Sequence, residues 1–143
     1  MKHLVILLAT LMPYLGITAD TIRVNTRYGT VEGQSLSGVN IFKGIPFAAP
    51  PTGDNRWREP QPPQPWDSVL VCTDYRPDPM QEPIYGDMNF GAGSMSEDCL
   101  YLNVWAPATP GDTLLPVLIY FNGGGLMAGS GSEPRYAGLS MAR

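Results

Sequence analysis

Seven prolines, Pro46, Pro50, Pro51, Pro60, Pro62, Pro63 and Pro65, fall within residues 46–65. Each lacks a backbone N–H and has a fixed φ, so this stretch builds neither a helix nor a central strand. Trp57 and Trp66 stud this stretch. A proline-rich ligand for a recognition module is one reading; the favoured one is a surface crossing pinned by buried aromatics.

On the amino-terminal side, Ile22-Arg23-Val24-Asn25-Thr26 alternates apolar and polar residues, as a half-buried strand does. Thr30-Val31-Glu32-Gly33 and Val39-Asn40-Ile41-Phe42-Lys43 continue the pattern, with turn signals at Tyr28-Gly29 and Ser37-Gly38. A small antiparallel meander is predicted. Beyond the prolines, residues 73–98 are rich in Gly, Pro, Asp and Met and read as a long ordered loop. Residues 99–105 alternate again and predict a strand closed by Pro107. Val117-Leu118-Ile119-Tyr120-Phe121 is unbroken apolar sequence, which predicts a strand buried on both faces in the middle of an α/β sheet.

Residues 4–15 are apolar apart from Thr10 and Pro13, follow Lys2 and His3, and precede the small pair Thr18-Ala19. This is the pattern of a secretory signal occupying residues 1–19, and it implies a secreted or periplasmic protein. The run is too short for the roughly 20 residues that span a bilayer, so no stable membrane anchor is expected. His3 is the only histidine. Its loss with the signal leaves no imidazole, which excludes a self-contained Ser–His or Cys–His machine and any His-based metal site. No metal or cofactor is expected. The formal charge of −4 offers no basic face, so nucleic acid is not an expected partner. Cys72 and Cys99 stand 27 residues apart, and an exported chain leaves two readings open: a disulfide, or two free buried thiols.

The chemistry is concentrated where the apolar run meets Asn122-Gly123-Gly124-Gly125. Three glycines without side chains let their N–H groups turn toward one point and let a reacting atom come close. Donors so aimed stabilise a developing oxyanion, each worth about 3–4 kcal/mol of barrier. A flexible turn is the plainer alternative. A dinucleotide fingerprint is rejected because Gly129-Ser130-Gly131-Ser132-Glu133-Pro134 follows where a helix is required. No serine sits in G-x-S-x-G; Gly138-Leu139-Ser140-Met141-Ala142 ends in Ala, and Ser140 reads as an ordinary helix-start residue. Glu97 and Asp98 are adjacent, so on a strand they face opposite ways, and a structural pairing with Arg56 is favoured over acid–base work.

Four segments carry a family resemblance. They are Gly29-Thr30-Val31-Glu32-Gly33; Phe42-Lys43-Gly44-Ile45-Pro46-Phe47-Ala48-Ala49-Pro50-Pro51 with Arg56-Trp57 and Pro65-Trp66; Ser96-Glu97-Asp98-Cys99-Leu100-Tyr101-Leu102-Asn103-Val104; and Asn122-Gly123-Gly124-Gly125. In this order they resemble the opening of a type-B carboxylesterase, of the carboxylesterase–cholinesterase group of the α/β hydrolases. The third matches that family's E-D-C-L-x-L-N signature and the fourth resembles its H-G-G-G oxyanion loop.

The resemblance implies the amino-terminal portion of an α/β-hydrolase fold, incomplete: the small meander plus the first strands of the large mixed sheet, over residues 20–143. It implies hydrolysis of a small-molecule carboxylic ester through a Ser–His–acid triad and an acyl-enzyme. Gly124 and Gly125 would donate their N–H groups to the oxyanion, Cys72 and Cys99 would form the family's first disulfide, and Glu97 would pair with Arg56. Asn122 replaces the motif's His. Asn89, with Phe90 beside it, falls where cholinesterases place a choline-stacking Trp, so acetylcholine is not the expected substrate. Nucleophile, acid and His would lie beyond Arg143, and residues 20–143 alone are expected to be poorly stable and inactive. The kept glycines favour the esterase over a non-catalytic, neuroligin-like binding ectodomain or a decayed esterase remnant. Acyl and alcohol specificity and oligomeric state are not legible.

Overall fold

The first hairpin closes where Thr26 turns the chain back on itself. Its hydroxyl donates to the Gly29 carbonyl (2.8 Å) and accepts from the Tyr28 N–H (3.2 Å). In this computed structural model, which describes residues 19–109, 111–112 and 114–143, the turn joins β1 (Asp20–Asn25) to β2 (Thr30–Leu36). The strands pair antiparallel with Val24 opposite Val31. Ser37 and Gly38, both at positive φ (52° and 81°), make the tight two-residue turn into β3 (Val39–Pro46). Positive φ at both central positions matches the right-handed twist of the paired strands. The predicted meander is present with its predicted turns. The signal-like segment lies outside the described residues, apart from Ala19.

The two halves meet at β3. One edge of it pairs antiparallel with β5 (Tyr101–Pro107), from Val39 opposite Pro107 to Pro46 opposite Tyr101. The register shifts between Lys43 and Ile45, where the Gly44 N–H donates to the Asn103 side-chain carbonyl (3.0 Å). Gly44 adopts φ +76°, and a Cβ there would lie 2.5 Å from the Arg76 side chain. On the other edge, β2 and β3 part and the short β4 (Leu70–Val71) enters parallel to β2. Cys72 fills the gap: its N–H donates to the Glu32 carbonyl and its carbonyl accepts from the Lys43 N–H, both at 2.7 Å. The core is small, with Val31, Phe42 and Cys72 buried and Ile22, Ile45, Trp66 and Leu70 packed against them.

The proline crossing is pinned by one tryptophan. Trp66 donates its indole N–H to the Thr30 carbonyl (2.9 Å) and lies against Gly29. Trp57, expected to be the second pin, is 94% exposed at φ +60° and touches no core residue. The expected central strand over residues 117–121 is also absent. These residues have no regular structure, with Val117 84% and Phe121 85% exposed. A strand buried on both faces takes its stability from flanking strands and covering helices. Among the described residues none pairs with this run, and the Tyr120 ring against Tyr136 (centroids 4.8 Å apart) is its one aromatic contact. No helix among the described residues is long and apolar enough to cross a membrane.

Candidate functional site

The glycine loop is shaped by three successive residues at positive φ: Gly124 (131°), Gly125 (63°) and Leu126 (61°). The left-handed turn swings the chain so that the Gly124 carbonyl accepts from both the Met127 N–H (3.1 Å) and the Ala128 N–H (3.3 Å). A Cβ at Gly124 would sit 1.4 Å from the Ala128 carbonyl oxygen, so no side chain fits there. Gly125 has open space around it. The N–H groups of Gly124 and Gly125 meet no acceptor among the described residues. The Asn122 side-chain N–H donates to the adjacent Gly123 carbonyl (3.2 Å). The loop therefore presents two adjacent main-chain donors with no internal partner, which is the chemical requirement for binding an oxyanion.

The far end of the turn is held by the long loop of residues 73–98. The Gln81 side-chain amide accepts from the Gly129 N–H (2.6 Å) and donates to the Gly129 carbonyl (3.0 Å). Beside it, Ser130 donates to the Asp78 carboxylate and lies within hydrogen-bond reach of Ser132, whose hydroxyl reaches the Phe90 carbonyl. All three side chains are buried. Burial pushes the Asp78 carboxyl above its usual range; the two hydroxyls oppose the shift and the nearby Glu133 carboxylate adds to it. Glu133, itself buried, pairs with Arg135 (2.6 Å). Asp78 is in turn fixed by backbone bonds to Ser94 (3.0 Å) and Ser96 (2.9 Å).

The acidic pair behaves as the structural reading expects. Arg56 Nη2 lies 2.7 Å from Glu97 Oε1, tying the proline crossing to the approach of β5. Asp98 accepts from the Tyr101 hydroxyl (2.9 Å). Burial, reinforced by that carboxylate, pushes the Tyr101 phenol up to about 12. Both acids are committed to these partners and neither faces the glycine loop through a described bond.

Cys72 and Cys99 stand as unbonded thiols in the structure, the first buried and the second partly buried. Cys72 is held by backbone bonds to Glu32 and Lys43, and Cys99 lies on the approach to β5. Burial raises the Cys72 thiol above its usual range, and burial with Asp98 and Asp78 raises Cys99.

Gln81, Asp78, Ser130 and Ser132 were not legible as site residues. The two serines immediately follow the glycine turn, a visible hint that hydroxyls there need an acceptor. Their partner stands 52 and 54 residues earlier, in sequence without periodicity. Ser140 ends a 3₁₀ turn (Gly138–Ser140) instead of starting a helix. No cluster of three or more metal-ligating side chains occurs among the described residues.

Residues 20–143 match the model of the carboxylesterase family. The chain is 43% identical over 136 residues to fumonisin B1 esterase of Sphingopyxis macrogoltabida, covering 94% of this chain and 25% of that protein. It is 42% identical over 124 residues to para-nitrobenzyl esterase of Bacillus subtilis strain 168 (83% and 24%). Acetylcholinesterase of Electrophorus electricus is 40% identical over 140 residues (87% and 22%). A solved PNB esterase superposes with TM-score 0.78 at 43% identity, over 84% of this chain and 25% of that one. A carboxylesterase of Geobacillus stearothermophilus gives TM-score 0.71 at 40% identity, over 84% and 23%. The chain spans about a quarter of the length of these relatives.

Proposed function

This chain belongs to the carboxylesterase family, and from that premise we propose that it supplies the oxyanion-binding part of a carboxylic ester hydrolase working through an acyl-enzyme. Its meander is the opening part of an α/β-hydrolase fold. The observation that carries the proposal is the pair of N–H groups at Gly124 and Gly125 that meet no acceptor among the described residues, on a turn that excludes a side chain at Gly124. Attack on the ester carbonyl turns its oxygen into an oxyanion, and donors already fixed in place need no reorganisation as that charge develops. The described residues contain no histidine and no serine in G-x-S-x-G, so nucleophile and base have to come from outside them. The substrate is a small-molecule carboxylic ester. Export also belongs to the proposal, supported by the charged start and short apolar run of residues 1–15.

The test is turnover by the intact protein of a short-chain p-nitrophenyl ester, with and without a fluorophosphonate that captures activated serines. Saturable turnover abolished by the reagent is expected. No turnover and no labelling would instead favour a binding ectodomain or a decayed esterase. For export, protein recovered from outside the cytoplasm should begin at Asp20; recovery only with Lys2 attached contradicts it.

A further inference from the structure

We infer that Gln81 is a positioning residue for the oxyanion loop, acting from the long loop through the backbone of Gly129. The inference rests on the reading of Gly124 and Gly125 given above. A primary amide accepts through its oxygen and donates through its nitrogen, so it can bond an N–H and a carbonyl of one residue at once. Gln81 does both at a single residue, with Oε1 2.6 Å from the Gly129 nitrogen and Nε2 3.0 Å from its oxygen. Paired bonds fix orientation as well as distance, which a lone bond does not.

The place of the clamp makes it matter. Gly129 is buried at φ +135°, and a Cβ on it would lie 2.4 Å from the Gly123 carbonyl oxygen and 3.0 Å from the Asn122 side-chain nitrogen. The end of the turn thus rests against its beginning. Ala128, the neighbour of Gly129, donates to the Gly124 carbonyl (3.3 Å). Gly124 and Gly125 stand between these two points, so holding Gly129 limits how far their N–H groups can rotate. Without the clamp the turn's own bonds are two donations to one carbonyl and the Asn122 contact. The Ser130–Asp78 bond, one residue on, fixes where the chain leaves but not how Gly129 is oriented.

The experiment is hydrogen–deuterium exchange of the whole chain at sub-micromolar concentration, comparing wild type, Gln81→Ala and Gln81→Glu. Loss of both bonds in Gln81→Ala should speed exchange across residues 123–129 by about tenfold, with β2, β3 and β5 unchanged. Gln81→Glu keeps the acceptor for the Gly129 N–H and guards against a variant that fails to fold; it should fall between the other two. Unchanged exchange at 123–129, or an equal rise everywhere, overturns the inference. In the intact protein, Gln81→Ala should lower kcat for the p-nitrophenyl ester by about tenfold with KM within about twofold. A shift in KM with kcat unchanged also overturns it. Wild type that turns over no ester at all counts against the ester-hydrolase reading, and exchange then decides the clamp by itself.

Discussion

The carbonyl oxygen of Ala128 occupies the space that a side chain on Gly124 would need: a Cβ there would lie 1.4 Å away. The two residues are joined by the Ala128 N–H donating to the Gly124 carbonyl (3.3 Å), so the bond that closes the turn also brings the blocking carbonyl close. Neighbouring Gly125 has open space and only its φ of +63° to satisfy.

Gly124→Ala is therefore expected to break the turn, while Gly125→Ala keeps it at a strain of about 1–2 kcal/mol. Exchange across residues 123–129 checks the pair: the first variant should lose protection there and the second retain most of it. Equal behaviour of the two would contradict the described turn.

Tyr101 should titrate at about 12, because burial and the Asp98 carboxylate both oppose its ionisation. The sign follows from a folded pKa above the unfolded one: the stabilisation is complete below pH ~10 and is lost as pH rises toward 12. Ultraviolet titration of wild type against Tyr101→Phe measures the phenol directly, and the variant's stability should fall less steeply over that window.

In the reduced protein Cys99 should alkylate well before Cys72. Cys72 is fully buried between β2 and β3, whereas Cys99 is partly exposed on the approach to β5. Intact mass after timed iodoacetamide treatment reads the order. Label taken up only after reduction would show that the two cysteines are bridged; equal rates in the reduced protein would contradict the described burial.

Residues 117–121 present contiguous apolar surface, and surface of that kind drives association. The chain should bind a hydrophobic dye and self-associate at micromolar concentration. Replacing Leu118 and Phe121 with Lys should reduce both without changing exchange in β2, β3 and β5, since neither residue packs on the meander core.

The meander was legible because its alternation and turn residues act locally: Ser37 and Gly38 specify their turn whatever else folds. The glycine loop was legible as chemistry because residues without side chains in a row have few uses. Residues 117–121 misled because apolar sequence records what a strand is suited to, while its formation depends on pairing partners. Trp57 misled for a related reason, since an aromatic is buried only where something packs on it. The Gln81 clamp and the Asp78–Ser130 bond escaped because each joins residues about 50 apart through irregular loops, where no periodicity reports a contact.

The central claim is that the N–H groups of Gly124 and Gly125 bind the oxyanion. It is tested most directly by replacing the Gly125 N–H with an ester oxygen through semisynthesis of the intact protein, then measuring p-nitrophenyl ester hydrolysis. Removal of one such donor should lower kcat by about 10²–10³-fold with KM little changed. An unchanged kcat would contradict the claim.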